Sequence, residues 1–442
     1  MACGAVIAMG CGDDEPEEPG GSLNVEEPDE EWSLEVEISQ LSVDVEGERV
    51  SGESRQPAIS RDGEYVSFST TGGWVSGSLN GMRDIFGRQV DDPQSLELIS
   101  VDDDGQAATE GGLGSAEPAM SADGSEVVFS SSAHLNINDP IAQIYVRDRL
   151  EPSTVLISRD ESGVPARAPV EDPSISDDGR WVALTSSWAL VSDRGDHGLR
   201  TQVYLYDRAS QEMRRVSTNV DGEPASDGEA PVIQSQRAAV SGDGRYVVFE
   251  SNAMDLVEEP VSGRTQIYRY DIEESTLEWI SRRGDGSAGD GNARRPSISA
   301  NGEVIAFSSE VNLVDPEVSG THHLFPRLYI YDAEEAEFER VGDGNTIDRV
   351  RTSSLSEDGR FIAFEADVAA GRQIYWYDRQ EGRLQRLSES SSGDAANGES
   401  VSPSISGDGQ RVVWASEATN LGDGQTLEQW DIFMASLHPS GD

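Results

Sequence analysis

The chain has 442 residues, of which 83 are acidic and 33 basic, for a formal net charge of -50 at pH 7. A surface of that charge repels phosphates, so we expect no nucleic-acid partner and no binding to an anionic membrane face. The two cysteines, Cys3 and Cys11, both lie in the first eleven residues, so the body of the chain has neither disulfide nor thiolate chemistry.

The first eleven residues are small and apolar, and the composition then changes abruptly to Asp, Glu, Pro and Gly. Residues 1–11 resemble the end of a bacterial lipoprotein signal, with residues 8–11 as the lipobox and Cys11 as the acylated residue. Residues 12–32 have almost nothing to bury and are interpreted as an acidic tether. The resemblance implies an extracytoplasmic protein, periplasmic or at the cell surface, that meets the membrane only through a lipid anchor. The alternative is a disordered leader without function.

A turn dipeptide recurs seven times along the remaining chain. It is Asp-Gly or Asn-Gly and begins at Asp62, Asp123, Asp178, Asp243, Asn301, Asp358 and Asp408. Each dipeptide lies between two short apolar runs, which is typical of a tight hairpin because glycine readily adopts the positive φ of the turn. A third and a fourth strand follow in the repeats. Four antiparallel strands without helical periodicity predict one propeller blade, so residues 33–442 are predicted to be an all-β, seven-bladed β-propeller.

The seventh repeat shows only three strands before Asp442. Residues 34–43 alternate apolar and polar side chains and precede the first innermost strand. Pairing this segment into the last blade supplies the fourth strand and removes an exposed sheet edge. We therefore predict that the N-terminal strand closes the ring.

The repeats resemble those of TolB-like (WD40-like) propellers, as in Pro-Ser-Ile-Ser-Ala-Asn-Gly-Glu-Val-Ile-Ala-Phe at 296–307. The likeness covers nearly everything after residue 33. TolB proteins combine a six-bladed propeller with an N-terminal α/β domain and act in an envelope complex with a peptidoglycan-associated lipoprotein. The resemblance therefore implies a protein partner or a peptidoglycan-associated envelope component. This chain has seven repeats and no such domain, so the resemblance implies the fold and not the specific TolB role.

Strand order places the fourth-to-first and second-to-third connections on one face, named here the loop face, and the Asp-Gly turns on the opposite, hairpin face. Long loops on a rigid scaffold are common binding sites, although they can also be tolerated insertions. One residue before each innermost strand is predicted to line the channel mouth: Gln56, Glu117, Asp172, Arg237, Arg295, Thr352 and Ser402. Of these, Glu117, Asp172, Arg237 and Arg295 form a mixed-charge rim predicted to bind a polar or peptide ligand.

Four histidines fall in second-to-third-strand loops, namely His134, His197, His322 and His323. Some propeller lyases bind a metal through histidines from several blades, so a metal-dependent polysaccharide lyase or hydrolase is the enzymatic alternative. Blades two, three and five hold these loops well apart, and an acidic protein repels a polyuronate. We therefore predict no metal site.

Catalytic signatures are missing from the sequence, since it contains no Gly-x-Ser-x-Gly, no His-Glu-x-x-His and no phosphate-binding loop. The acidic loops 102–105 and 343–348 could hold calcium, but neither has the glutamate of an EF-hand, so solvated turns are the preferred interpretation and no cofactor is predicted. The sequence thus predicts a monomeric, non-enzymatic binding or scaffold protein.

Overall fold

A computed structural model of the chain describes residues 33–440 apart from 50, 75–80, 109, 193–199, 226–233, 260, 285, 288, 290, 315–321, 343–346, 348, 370 and 422–428. Cys11, the predicted tether and His197 lie outside the described residues. Within the described ranges, the one helix is a single 3-10 turn at Pro93–Ser95. No helix among them is long and apolar enough to cross a membrane.

Seven four-stranded antiparallel sheets make up the molecule, which confirms the predicted seven-bladed β-propeller. The first strand in the chain is β1 (Ser33–Gln40). Blade one follows with β2 (Ser54–Ile59), β3 (Tyr65–Thr70), β4 (Asp84–Gln89) and β5 (Glu97–Leu98). Blade two has β6 (Gly111–Met120), β7 (Glu126–Ala133), β8 (Gln143–Asp148) and β9 (Ser153–Leu156). Blade three has β10 (Val170–Ile175), β11 (Trp181–Ser186), β12 (Gln202–Asp207) and β13 (Glu212–Arg215).

The remaining blades repeat this order from the channel outward. Blade four has β14 (Ser235–Val240), β15 (Tyr246–Ser251), β16 (Gln266–Asp271) and β17 (Thr276–Trp279). Blade five has β18 (Ala293–Ile298), β19 (Val304–Val311), β20 (His322–Asp332) and β21 (Glu337–Arg340). Blade six has β22 (Arg349–Leu355), β23 (Phe361–Val368), β24 (Gly371–Asp378) and β25 (Arg383–Arg386). Blade seven has β26 (Ser400–Ile405), β27 (Arg411–Ser416) and β28 (Asp431–Ser440), with β1 as its fourth strand.

The ring is closed by the N-terminal strand, as predicted. Strand β1 pairs antiparallel with β28 over eight residues, from Ser33 opposite Ser440 to Gln40 opposite Phe433. Glu35 and Glu37 are exposed, whereas Val36 between them is half-buried against the core of blade seven. Successive side chains of a strand point to opposite faces, so this alternation is the physical basis of the prediction.

The core lies between neighbouring blades, because the second and third strands of each blade are buried on both faces. All six residues of β3 are buried, and fully buried aromatic rings recur on the second and third strands. Phe129 stacks on Tyr145 with ring centroids 5.9 Å apart, and Phe249 stacks on Tyr268 at 5.7 Å. Stacked rings in equivalent positions give each blade a similar thickness, so the blades pack side by side around one axis.

A buried glutamine occupies an equivalent position at or near the start of the third strand in four blades: Gln143, Gln202, Gln266 and Gln373. In blade two, Gln143 accepts a hydrogen bond from the Ser158 hydroxyl at 2.6 Å and donates to the Ala166 carbonyl at 2.8 Å. Its amide thereby supplies both a donor and an acceptor to the connection that leads to the next blade. Blades one and seven carry aspartates, Asp84 and Asp431, at this position.

Candidate functional site

The hairpin-face end of the channel is ringed by the seven Asp-Gly or Asn-Gly turns. Neighbouring turns are joined round the axis by seven backbone hydrogen bonds of 2.7–3.1 Å, which run from Asp62 to Ala122, Ala122 to Asp177, Asp177 to Gly242, Asp243 to Ala300, Ala300 to Glu357, Glu357 to Gly407 and Gly407 to Arg61. The Arg61 side chain also reaches past blade two, and its Nε lies 2.8 Å from Asp177 Oδ1 of blade three. These contacts tie the turns of neighbouring blades together at the hairpin face.

The predicted mouth residues lie within the innermost strands and not just before them, which corrects the sequence-based placement. Strand β2, for example, begins at Ser54, two residues before Gln56. Each innermost strand contains a register shift at this point, the mark of a β-bulge. Proline follows the mouth residue in five repeats, at 57, 118, 173, 296 and 403. Proline is tolerated in strands at bulges, so the recurring proline could have shown that the mouth residues lie inside the strands.

Six mouth residues adopt a left-handed backbone conformation with φ between 52° and 56°, namely Gln56, Glu117, Asp172, Arg237, Arg295 and Ser402. Thr352, their equivalent in blade six, does not adopt it. This conformation costs a non-glycine residue roughly 1 kcal/mol or more. Such costs are tolerated where the surroundings hold the backbone in place, and they are concentrated at ligand sites.

The bulges are held by hydrogen bonds from one blade to the next. Gln56 accepts from the Glu117 amide at 3.3 Å, Glu117 from the Asp172 amide at 3.2 Å, and Asp172 from the Arg237 amide at 3.1 Å. The two predicted acids are therefore tied to the adjacent backbone, which fixes where their remaining lone pairs point. The structure brings all four rim residues to one ring, in blades two to five.

Sequence reasoning missed two glutamates that continue this ring. Glu250 accepts from the Arg295 amide at 2.6 Å, and Glu365 accepts from the Ser402 amide at 3.2 Å. Both are buried on second strands, 1% and 3% exposed, and contact arginines. Arg237 Nε lies 3.5 Å from Glu250, and Arg372 Nη1 lies 3.3 Å from Glu365. The other blades carry only serine, threonine or alanine at this repeat position, at 69, 130, 185, 308 and 415. A glutamate at this position therefore differs from the repeat pattern and could have been identified from the sequence.

The electrostatics differ between the two sides of the mouth. Burial raises the pKa of Glu117, and the nearby Asp172 carboxylate raises it further. The pKa of Glu171 is raised in the same way, first by burial and then by Asp172. Burial and the like charge of Arg237 lower the pKa of Arg295. The ring therefore has an acidic arc in blades two and three and a basic arc farther round in blade five.

The histidines are not brought together by the parts that the structure describes. The backbone N–H of His134 in blade two donates to the Glu110 carbonyl at 2.9 Å. His322 and His323 begin the third strand of blade five, so the prediction that they lie in the preceding loop was wrong. No group of three or more His, Cys, Asp or Glu side chains that could hold a metal is found among the described residues.

The acidic loop at 102–105 is part of a small hairpin. Asp102 Oδ1 accepts from the amides of Asp104 at 2.9 Å and Gln106 at 2.8 Å, which uses the carboxylate inside its own turn. Similar hairpins recur at 43–49, 159–165, 218–224 and 389–395. The fourth-to-first connections are therefore partly ordered by a repeated turn, although the sequence suggested long irregular loops. Residues 343–346 and 348 of the second acidic loop lie outside the described residues.

These features define the chain as a seven-bladed β-propeller with a charged channel mouth on its loop face. No family model matches it, and no curated protein sequence matches it. Among solved structures, an oligogalacturonate lyase in complex with manganese is similar with 12% identity and a TM-score of 0.55, over 92% of this chain and 96% of that chain. The propeller domain of the trilobed protease from Pyrococcus furiosus is 13% identical with a TM-score of 0.54, over 88% and 98%.

TolB from Acinetobacter baumannii is also similar, with 14% identity and a TM-score of 0.40, over 88% of this chain and 81% of that chain. The overlap with TolB is too loose to carry an argument about function. The low identities mean that the lyase and the protease domain show a shared fold alone, since one fold hosts many functions.

Proposed function

We propose that this chain is a non-enzymatic extracytoplasmic binding protein that uses its loop face to hold a protein or another envelope component. The observation that supports this is the ring of charged mouth residues. Their backbones are held in a strained conformation by neighbouring blades, so the side chains are positioned before a ligand arrives. Such preorganisation reduces the entropy lost on binding. The monomeric chain would be organised as a signal at 1–11, a tether at 12–32 and the propeller at 33–442.

A pull-down from envelope extract tests the use of the loop face. Arg294→Gln/Arg295→Gln removes two charges from the mouth, whereas Arg180→Gln/Arg245→Gln removes two from the hairpin face. Arg180 and Arg245 are part-exposed and pair with Asp207 and Asp271, so the control changes the net charge by the same amount as the mouth variant. We expect the mouth variant to retain at least about ten-fold less partner than wild type, because two charged contacts with the partner are lost. The control should retain as much partner as wild type. Equal recovery by both variants would contradict a binding role for the mouth.

The proposed lipid anchor rests on Cys11 alone. We expect the wild-type chain to fractionate with membranes and Cys11→Ala to be released into the soluble fraction, since one residue carries the acyl chains. Cys3→Ala is the matched control and should remain with membranes. A wild-type chain found wholly in the soluble fraction would remove the anchor from the proposal.

The alternative function is a metal-dependent polysaccharide lyase or hydrolase on the same face. It is supported by the fold shared with the oligogalacturonate lyase over nearly the whole chain. Manganese or calcium that copurifies with the protein, and is lost on replacing His134, would favour it over the binding role. Manganese binding that does not change when the histidines are replaced would favour the binding role.

A further inference from the structure

We propose that the channel mouth binds a zwitterionic ligand, such as the free end of a short peptide, with its ammonium group on the acidic arc and its carboxylate on the basic arc. This inference rests on the proposed function, because it names the ligand class for the same site. It follows from charged side chains at the mouth that form no ion pair within the described part of the protein.

The acidic arc consists of Glu117 in blade two and of Glu171 and Asp172 in blade three. Glu117 and Asp172 accept hydrogen bonds from backbone amides, and Thr185 Oγ1 donates to Asp172 at 3.2 Å. No described arginine nitrogen lies within 4.0 Å of any of these three carboxylates. Three acids this close are mutually repulsive, and an ammonium group among them would relieve the repulsion.

The basic arc is centred on Arg294 and Arg295 in blade five. Arg294 is exposed and Arg295 half-buried. Within the described residues, no carboxylate oxygen lies within 4.0 Å of either guanidinium group. The nearest acids are already shared, because Glu250 contacts Arg237 at 3.5 Å and Glu365 contacts Arg372 at 3.3 Å. The guanidinium group of Arg295 therefore keeps N–H groups that can donate hydrogen bonds to the carboxylate of a ligand.

The two arcs lie in different parts of one ring, with blade four between blades three and five. A purely anionic ligand would meet the field of a protein with a net charge of -50, which opposes its approach. A purely cationic ligand would occupy the acidic arc and leave the arginines unpaired. A ligand with both charges places an opposite charge on each arc and carries no net charge, so the field of the whole protein does not repel it.

Trialanine provides the probe, because its termini can be blocked one at a time. Titration calorimetry at low salt compares trialanine, N-acetyl-trialanine and trialanine amide. We expect trialanine to bind at least about ten-fold more tightly than either blocked form, since a charge-assisted hydrogen bond is lost with each block. Arg295→Gln should weaken the binding of trialanine about ten-fold and leave the binding of trialanine amide unchanged. Glu171→Gln should also weaken the binding of trialanine about ten-fold, and it should leave the binding of N-acetyl-trialanine unchanged.

Arg245→Gln on the hairpin face is the matched control and should bind all three peptides as wild type does. Equal affinity for the three peptides, or no measurable binding of trialanine, would overturn the zwitterion inference. The pull-down separates this failure from that of the proposed function. If the mouth variant loses its envelope partner while trialanine does not bind, the binding role stands and the ligand class is wrong. If the mouth variant keeps its partner, the binding role itself fails.

Discussion

Leu41→Ala is expected to lower the free energy of unfolding by about 3 kcal/mol, the cost of a cavity at a buried leucine. Leu41 follows β1 directly and is 3% exposed, within the core shared by blades one and seven. Its N–H donates to the Ile432 carbonyl at 2.8 Å, and its carbonyl accepts from Arg88 Nη1 at 3.1 Å. One residue thus joins the closing strand to the last blade and to the first.

Urea unfolding measures this effect, and Glu37→Ala is the control. Glu37 is exposed on the same closing strand, so its loss should change stability by less than about 0.5 kcal/mol. We also expect Leu41→Ala to speed proteolysis near residue 40, because a loosened closing strand leaves β28 as an open edge. If Leu41→Ala were no more destabilising than Glu37→Ala, ring closure would not depend on this contact.

Asp84→Asn is expected to stabilise the protein at pH 7 by up to about 3 kcal/mol, since each pKa unit corresponds to about 1.4 kcal/mol. Burial raises the pKa of Asp84 to about 6, although the Ser100 hydroxyl, which donates at 3.0 Å, opposes the rise. Its second oxygen, Oδ2, is buried with no hydrogen-bond partner among the described residues. Four other blades have a neutral glutamine at this position, so the charge in blade one is an uncompensated exception.

The sign of the pH dependence follows from the raised pKa. The folded state favours protonated Asp84, so its charge costs no stability below about pH 4 and the full amount above about pH 6. We therefore expect wild type to lose stability relative to Asp84→Asn as the pH rises from 4 to 6. Thermal unfolding at intervals across this range measures the difference, with the exposed Asp104→Asn as control. A difference that stays constant with pH would contradict this account.

Blade seven shows which contacts oppose the effect of burial on a carboxylate at the same position, although burial still raises the pKa of Asp431. Asp431 is 1% exposed, forms an ion pair with Arg49 and accepts from the Ser42 hydroxyl at 2.9 Å. Both partners lie in the connection between β1 and β2, so closure of the ring brings them to Asp431. The difference between Asp84 and Asp431 therefore depends on residues nearly 400 positions away along the chain.

The candidate site was partly predictable from the repeat. Aligning the seven repeats placed Glu117, Asp172, Arg237 and Arg295 at equivalent positions, and the structure brings them to one ring. Their exact backbone conformation and strand position were not foreseen, because a β-bulge depends on pairing with a neighbouring strand. Glu250 and Glu365 lie on second strands, whose residues the repeat pattern predicts to be core, so the pattern did not point to them.

The sequence by itself determined the number of blades, the strand order and the closing strand. These features follow from local rules, namely glycine in tight turns and the two-residue alternation of a strand, repeated until the count was unambiguous. Only the tertiary structure decided which charges are compensated. The hydrogen bonds from Asp172 to the next blade, the sharing of Glu250 and the open guanidinium of Arg295 arise between blades, where residues more than 40 positions apart meet in a partly buried ring. Whether a charged side chain in this ring is neutralised depends on its distance from other charges and on its burial. The spacing of residues in the sequence gives neither quantity.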